Sequence, residues 1–520
     1  MLSDRQSIRS FRLADLLAAL SLVADLGMGH APEEAVSACF LATGLARRLG
    51  LSEPEVGDVY YTTLLRFTGC TAYAHEDAQL SAGDDVAMRA AGAARDLGSF
   101  RDMAAFFLFD LARDAPLLRR AGAVLRTLAQ GQRGTDEMFR SHCEVAIMLA
   151  RRLGLGSTVQ QALQDAFERW DGQGSPQQLR RDTVAAPARF AQVAYKGILF
   201  YRLGGIEAAS DVVRQMAGGG LDPAIAAAFL EHGPHLLAEL ADLDACQAVL
   251  EIEPEPHRQV AASNLDDVAR AFADVTDLKV PFLRGHARGV AELAAAAARH
   301  LKWAETDATT LYRAALLHDI GRVGVANGVW EKPAPLTRHE WEQVRLHPYH
   351  TERILSCSPV LADLAPLAGM HHERLDGSGY YRQATADTIP LATRVLAAAD
   401  AYQAMTQARP YRPALATEAA AGELLAGVKQ GQFDGAAVQA VLAGAGHTQA
   451  GRRRVWPAGL SDREVEVLIL LTRGATNKEV AAELNISPKT AGHHVQHIYN
   501  KINVSTRAGA AMFAMEQGLV

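Results

Sequence analysis

The sequence is short of cysteine. Its five cysteines, Cys39, Cys70, Cys143, Cys246 and Cys357, are scattered and form no CxxC pair. That spacing argues against a disulfide framework and against a thiolate zinc site. Aromatic residues are also few, at 6%, while alanine, the best helix former, is abundant. The expected fold class is therefore all-α. No apolar run is long enough to span a bilayer. The opening segment MLSDRQSIRSFRLADLL lacks the basic-then-apolar layout of a signal peptide. A cytoplasmic protein without membrane attachment is the expectation. Positive charge is not in excess either, the net charge being -7, so any contact with nucleic acid must be local. No receiver or kinase signature is visible, so phosphorelay control is not expected.

The most informative feature present is a repeat. HHERLDGSGYY at 371–381 and AFERWDGQGSP at 166–176 share E-R-x-D-G-x-G. Glu168 matches Glu373 at an offset of 205, and the same offset pairs His142 with His347 and Arg189 with Arg394. Upstream, GHAPEEAVSACFLATGLARRLGL resembles GHARGVAELAAAAARHL, which pairs His30 with His286 at an offset of 256. YYTTLLRFTGC resembles LYRAALLHDIGR, which pairs Arg66 with His318 and Phe67 with Asp319 at an offset of 252. The drop from 252 to 205 gives the first copy 47 extra residues between Cys70 and His142. Self-similarity of this kind marks a duplicated unit. With 520 residues and roughly 100–200 residues per domain, three domains are expected. They are a first copy at 1–240, a second at 260–444 and a small domain at 458–520. EIEPEPHRQ, at 251–259, reads as a soft joint because two prolines and mixed charges interrupt the helical pattern. Residues 444–459 read as a linker.

The second copy gathers His286, His318, Asp319, His347, His371, His372 and Asp400. Imidazole with carboxylate suits Fe, Mn, Zn or Ni rather than Ca or Mg alone. Two ligand pairs are adjacent in sequence, and neighbours on a helix diverge by about 100°. Adjacent ligands can thus face two different metals, with a carboxylate bridging them. The segments GHARGVA, ALLHDIGRVGVANGVWEKPAPLT, HPYHTERIL, HHERLDGSGYY, AAADAYQAM and RPYR resemble the HD superfamily of metal-dependent phosphohydrolases, specifically its HD-GYP branch. The resemblance implies an all-helical bundle holding two divalent transition-metal ions. His286, His318, Asp319 and Asp400 would hold one, and His347, His371 and His372 the other, with Asp319 bridging. It also implies hydrolysis or binding of a cyclic di-nucleotide such as cyclic di-GMP. Asp319 and Arg322 would be catalytic, and Arg322, Tyr380, Arg409 and Arg412 would contact substrate. The chain departs from the family pattern at three places. It has Gly379-Tyr380-Tyr381 for Gly-Tyr-Pro and Arg322 for lysine. It also has Phe282 where some members place the glutamate of a third metal, so two metals are expected.

In the same register the first copy carries Arg66-Phe67 for the His-Asp pair, Ala166-Phe167 for the paired histidines and Tyr195 for the final aspartate. Only His30 and His142 remain, so this copy reads as a degenerate HD-like domain without its metals. It serves either as plain core or scaffold, or as a reshaped small-molecule pocket. His75-Glu76, in the longer middle, reads as a surface pair.

The last sixty residues differ in kind. Ser461-x-x-Glu464 and Thr476-x-x-Glu479 are capping boxes that mark helix starts. Ser487 caps a third helix with Pro488 at its first position. In that helix Ala491, Val495, Ile498 and Ile502 recur at helical spacing and face inwards. No acidic residue occurs from Ser487 to Lys501, and Arg452, Arg453 and Arg454 add charge just ahead. The segment is similar to the LuxR-type helix-turn-helix, matching L-S-x-R-E-x-E-V-L, G-x-T-N-K-E-V-A-x-x-L and I-S-x-K-T. The resemblance implies four helices, a homodimer on double-stranded DNA, and contacts from Lys478, Lys489 and Thr490; His493, His494 and His497, largely on the outer side of the third helix, are further candidates for DNA contact. The whole reads as a DNA-binding transcriptional regulator with a binuclear-metal HD-GYP-like domain. Two alternatives are a phosphodiesterase that its DNA-binding domain merely localises, and a metal-stabilised nucleotide sensor without turnover.

Overall fold

A computed structural model describes residues 10–446 and 456–520. The arginines at 452–454 lie outside the described residues. The chain divides into two compact units. The first holds Met1–Leu265, Ala326–Gly328 and Cys357–Val360; the second holds Asp266–Val325, Val329–Ser356 and Leu361–Val520. The described residues are helical almost throughout. One short antiparallel ladder interrupts them, with Ser10–Arg12 against Gln259–Ala261. The expected all-α class holds.

The first unit is built on helices Leu13–Met28, Glu34–Arg48, Glu53–Leu65, Leu117–Arg152 and Ala186–Met216. Ser52 and Glu55 start the third of these with a reciprocal capping box, which satisfies two otherwise orphaned amides. The expected soft joint at 251–259 is anchored in this unit at Glu253 and Pro254, while Glu251, Glu255, Pro256, Arg258 and Gln259 are exposed. Glu253 is 3% exposed and accepts a 2.7 Å hydrogen bond from the Tyr61 hydroxyl. Proline and charge mark an irregular backbone there, which that buried hydrogen bond anchors. The expectation about cysteine also needs correction, because Cys246 and Cys357 form a disulfide across 111 residues of sequence. No local spacing announces such a pair. Cys39, Cys70 and Cys143 are buried and form no disulfide.

In the second unit the helices His286–His300, Glu305–Leu317, His347–Ser356 and Ala365–Gly369 place the conspicuous histidines and Asp319 at or just past their ends, and Leu391–Thr406 carries Asp400 along its length. The two copies share uncommon contacts. A Cβ on Gly69 would sit 2.0 Å from the His142 carbonyl oxygen, and one on Gly321 would sit 2.1 Å from that of His347. Only glycine fits either place. Glu168 accepts from the amides of Gln177 and Leu179, as Glu373 accepts from those of Arg382 and Ala384. These pairs keep the offsets of 252 and 205. One sequence pairing does not hold. Asp25 accepts from the Ala35 amide and Asp277 from the Ala287 amide, both at 3.0 Å. That match aligns Glu34, not His30, with His286, and His30 falls one turn earlier, level with Phe282. Alanine-rich helices carry too little side-chain pattern to fix a register.

The four C-terminal helices are Asp462–Thr472, Asn477–Glu483, Pro488–Ile502 and Arg507–Glu516. Both capping boxes and the Ser487 cap form as expected. Val465, Leu468, Leu471, Val480, Ala491 and Ile498 share one core. Each large aliphatic side chain buried there contributes about 1.5–3 kcal/mol. Val495 packs against that core only partly buried. Lys501 ties the third helix to the first through a 2.7 Å ion pair with Glu464.

Candidate metal centre

Seven side chains carried on or beside five helices converge in the second unit. They fall into two groups, Asp319 with His347, His371 and His372, and His286 with His318 and Asp400. Asp319 stands between them. Its Oδ2 is 3.0 Å from His318 Nε2 and 3.6 Å from His286 Nε2. Its Oδ1 is 3.4 Å from His347 Nε2 and 3.3 Å from His371 Nε2. Asp400 Oδ1 lies 3.1 Å from His286 Nε2, and its Oδ2 3.8 Å from His372 Nδ1. All seven sequence-derived ligand candidates therefore meet in one place.

The imidazoles are oriented from the main chain. His318, His347 and His371 each set Nδ1 against the carbonyl three residues earlier, those of Ala315, Val344 and Ala368, at 2.6–2.7 Å. A carbonyl only accepts, so each Nδ1 carries a proton and each ring turns its Nε2 to the cluster, the orientation metal ligation needs. His286 Nδ1 instead meets Gln407 Oε1 at 2.9 Å. Gln407 is a supporting residue that sequence reasoning missed, although it lies just outside the quoted RPYR segment.

Electrostatics favour a cation here. Burial lowers His286 and His347 to about 4, so both are neutral donors at ordinary pH. Burial also opposes the charged form of His318, but Asp319 and Asp400 outweigh it and lift that ring to about 10. Burial would raise both aspartates, yet Arg322 beside Asp319 and His286 beside Asp400 hold them well below the usual range. Two buried carboxylates with four imidazoles that burial keeps neutral suit a borderline divalent transition metal, which would compete with the proton for His318 Nε2. The buried Asp319 oxygens and His318 Nε2 have no well-aligned hydrogen bond, a donor set that fits a metal ion.

The phosphate-contact candidates separate. Arg322 Nη1 lies 2.7 Å from Asp319 Oδ2, with its guanidinium over Trp330. Arg409 stacks over Phe282 at 5.0 Å, and burial together with nearby Arg322 lowers it to about 10. The Tyr380 ring lies 4.7 Å from that of His372. Arg412 spends its terminal nitrogens on the carbonyls of Ala404, Met405, Gln407 and Pro413. That makes it a main-chain brace rather than a free anion receptor.

The C-terminal helices present the other candidate surface. Lys478, Lys489, Thr490, His493 and His497 are exposed, and His494 is half-buried. Thr490 shares a 2.8 Å hydrogen bond with Ser487 at the start of its helix.

Residues 270–437 match the HD domain family, and residues 458–514 match the bacterial regulatory proteins of the luxR family. The chain thus belongs to the HD-domain phosphodiesterase family and ends in a LuxR-type helix-turn-helix DNA-binding domain. Its particular likeness is to the 3'3'-cGAMP-specific phosphodiesterase 3 of Vibrio cholerae serotype O1. The two are 32% identical over 410 residues, 78% of this chain and 89% of that protein. A crystal structure of a cyclic GMP-AMP specific phosphodiesterase from V. cholerae superposes with a TM-score of 0.60 at 27% identity. That match covers 84% of this chain and 98% of the other. The cyclic di-GMP phosphodiesterase of Thermotoga maritima is 39% identical over 129 residues, which are 24% of this chain and 35% of that protein. No helix among the described residues is long and apolar enough to cross a membrane.

Proposed function

We propose that the second copy is a binuclear-metal phosphodiesterase acting on a cyclic di-nucleotide, and that its state governs DNA binding by the C-terminal domain. The carrying observation is Asp319, whose two oxygens face two separate histidine groups. His286, His318 and Asp400 would hold one ion and His347, His371 and His372 the other, each a divalent Fe, Mn, Zn or Ni. Such a pair supplies charge stabilisation at phosphorus and an activated water at neutral pH. The chain's own residues do the rest. Arg322 and Arg409 offer fixed positive charge to a phosphodiester, and Tyr380 offers a flat ring beside His372 for a base. The relatives named for 3'3'-cGAMP and cyclic di-GMP support those two nucleotides as substrates. Purified Mn-loaded protein should cleave at least one of them. Asp319→Ala protein should cleave neither, and turnover surviving that change would sink the assignment.

A specific contact supports the regulatory half. In the second unit Arg284, two residues before His286, donates to the Thr472 carbonyl of the first LuxR-type helix. Phe282, beneath Arg409, lies on the same segment. Nucleotide bound at Arg409 would bear on that segment and so on the DNA-binding helices. A ligand shifts such an equilibrium only through differential affinity for two states. The domain is proposed to bind DNA as a homodimer. Gel-shift titrations of chelated, metal-loaded and nucleotide-bound protein should give different affinities, and Arg284→Ala should level them. Equal affinities in all three states of the wild type would leave a phosphodiesterase merely localised on DNA.

A further inference from the structure

The first copy keeps a cation where the second keeps a ligand. Arg66 takes the place of His318, and the two carboxylates near that place are replaced by Phe67 and Tyr195. The guanidinium carbon lies 5.2 Å from the Phe67 ring centre, 5.4 Å from Phe167 and 5.8 Å from Tyr195. Its Nε and Nη1 are sealed from solvent with no hydrogen-bond partner. No carboxylate pairs with it among the described residues. The residue as a whole is half-buried. His142, 5% exposed, sets its ring 5.8 Å from Phe167, and its Nε2 also lacks a partner.

A guanidinium enclosed without an anion is costly, and buried donors are normally satisfied. Plain core would serve better with an aliphatic residue at this position. Three rings around the cation contribute attraction to its faces but leave its N–H edges unmet. Those edges match an oxyanion, which a guanidinium binds through charge-assisted hydrogen bonds. We infer that the first copy is a ligand-binding module, with Arg66 and His142 receiving a phosphate group, free or carried on a nucleotide whose base meets the aromatic rings. It would act as a sensor distinct from the metal centre, and it stands or falls independently of catalysis in the second copy.

The test uses the full chain carrying Asp319→Ala and treated with chelator, so that the metal centre is silent. Inorganic phosphate, guanosine monophosphate and guanosine are titrated calorimetrically. Binding of either phosphate-bearing probe, weakened at least about tenfold by Arg66→Met as loss of a charged hydrogen bond implies, supports the site. Comparing the two probes tells free phosphate from nucleotide. Binding of neither, or binding unchanged by Arg66→Met, overturns the proposal. If Arg66→Met fails to fold, wild-type crystals soaked in tungstate decide the matter. Anomalous density against Arg66 supports the site, and its absence with tungstate ordered elsewhere refutes it.

Discussion

Glu34 and His286 hold the same station in the two copies. Each opens a 15-residue helix, and each follows a residue in the left-handed region, Glu33 at φ 69° and Gly285 at φ 79°. In the first copy burial lifts the Glu34 carboxyl to about 7, and its Oε1 lies 3.3 Å from His30 Nδ1. Restoring one ligand there should not restore a metal centre, because Arg66, Phe67, Phe167 and Tyr195 still displace the others. Glu34→His is expected to leave the metal content per chain unchanged by elemental analysis. An added equivalent would mean that the first copy retains a latent site.

Asp319 should matter more to metal content than any one histidine. Its removal takes a ligand from both groups and leaves Arg322 without its partner. Asp319→Ala is expected to lower bound metal towards zero, whereas His372→Ala should affect mainly one ion. Mass spectrometry of the native protein would count them, and equal losses for the two variants would contradict a bridging position.

The Lys489 side chain stands exposed near the start of the third C-terminal helix. If it meets a phosphate, Lys489→Ala weakens binding to all DNA sequences about equally and reduces the salt slope by about 1. Affinities measured across several salt concentrations would reveal this. A change confined to one sequence would place Lys489 on a base instead.

Glu464 links acidity to the stability of the C-terminal domain. Burial would raise its carboxyl, but the Lys501 ammonium and the Ser461 amide and hydroxyl hold it at about 2. A depressed carboxyl stabilises above its ordinary value and loses that contribution as pH falls through about 2. Thermal melts should therefore show the domain weakening from near pH 5 downwards. Glu464→Gln keeps the capping box, where glutamine also serves, but loses the Lys501 ion pair; it should cost up to about 1 kcal/mol at neutral pH and should flatten the acid limb.

The sequence made the seven clustered positions legible because their chemistry is rare and their spacing distinctive. The capping boxes at Ser461 and Thr476 were equally plain, since a cap is a local event. What stayed hidden depends on long-range contact. The place of His30 turned on Asp25 reaching an amide ten residues away, which no motif marks. Arg412 looked like a phosphate receptor beside Arg409, but the surrounding carbonyls claim it. The Cys246–Cys357 bond joins residues that no spacing relates, and Gln407 supports His286 from outside any quoted ligand segment.

The carbonyls of Ala315, Val344 and Ala368 aim three of the four buried imidazoles. Aiming by backbone is indifferent to the identity of the side chains at those three positions. Drift there leaves the bearings of the rings intact, and an imidazole can be exchanged without unsettling its neighbours. An architecture of this sort is modular in the way a printed board is: sockets persist when components are pulled. Duplication could therefore strip one copy of its histidines while its glycine and glutamate contacts stayed in register, freeing that copy to take on a different cargo.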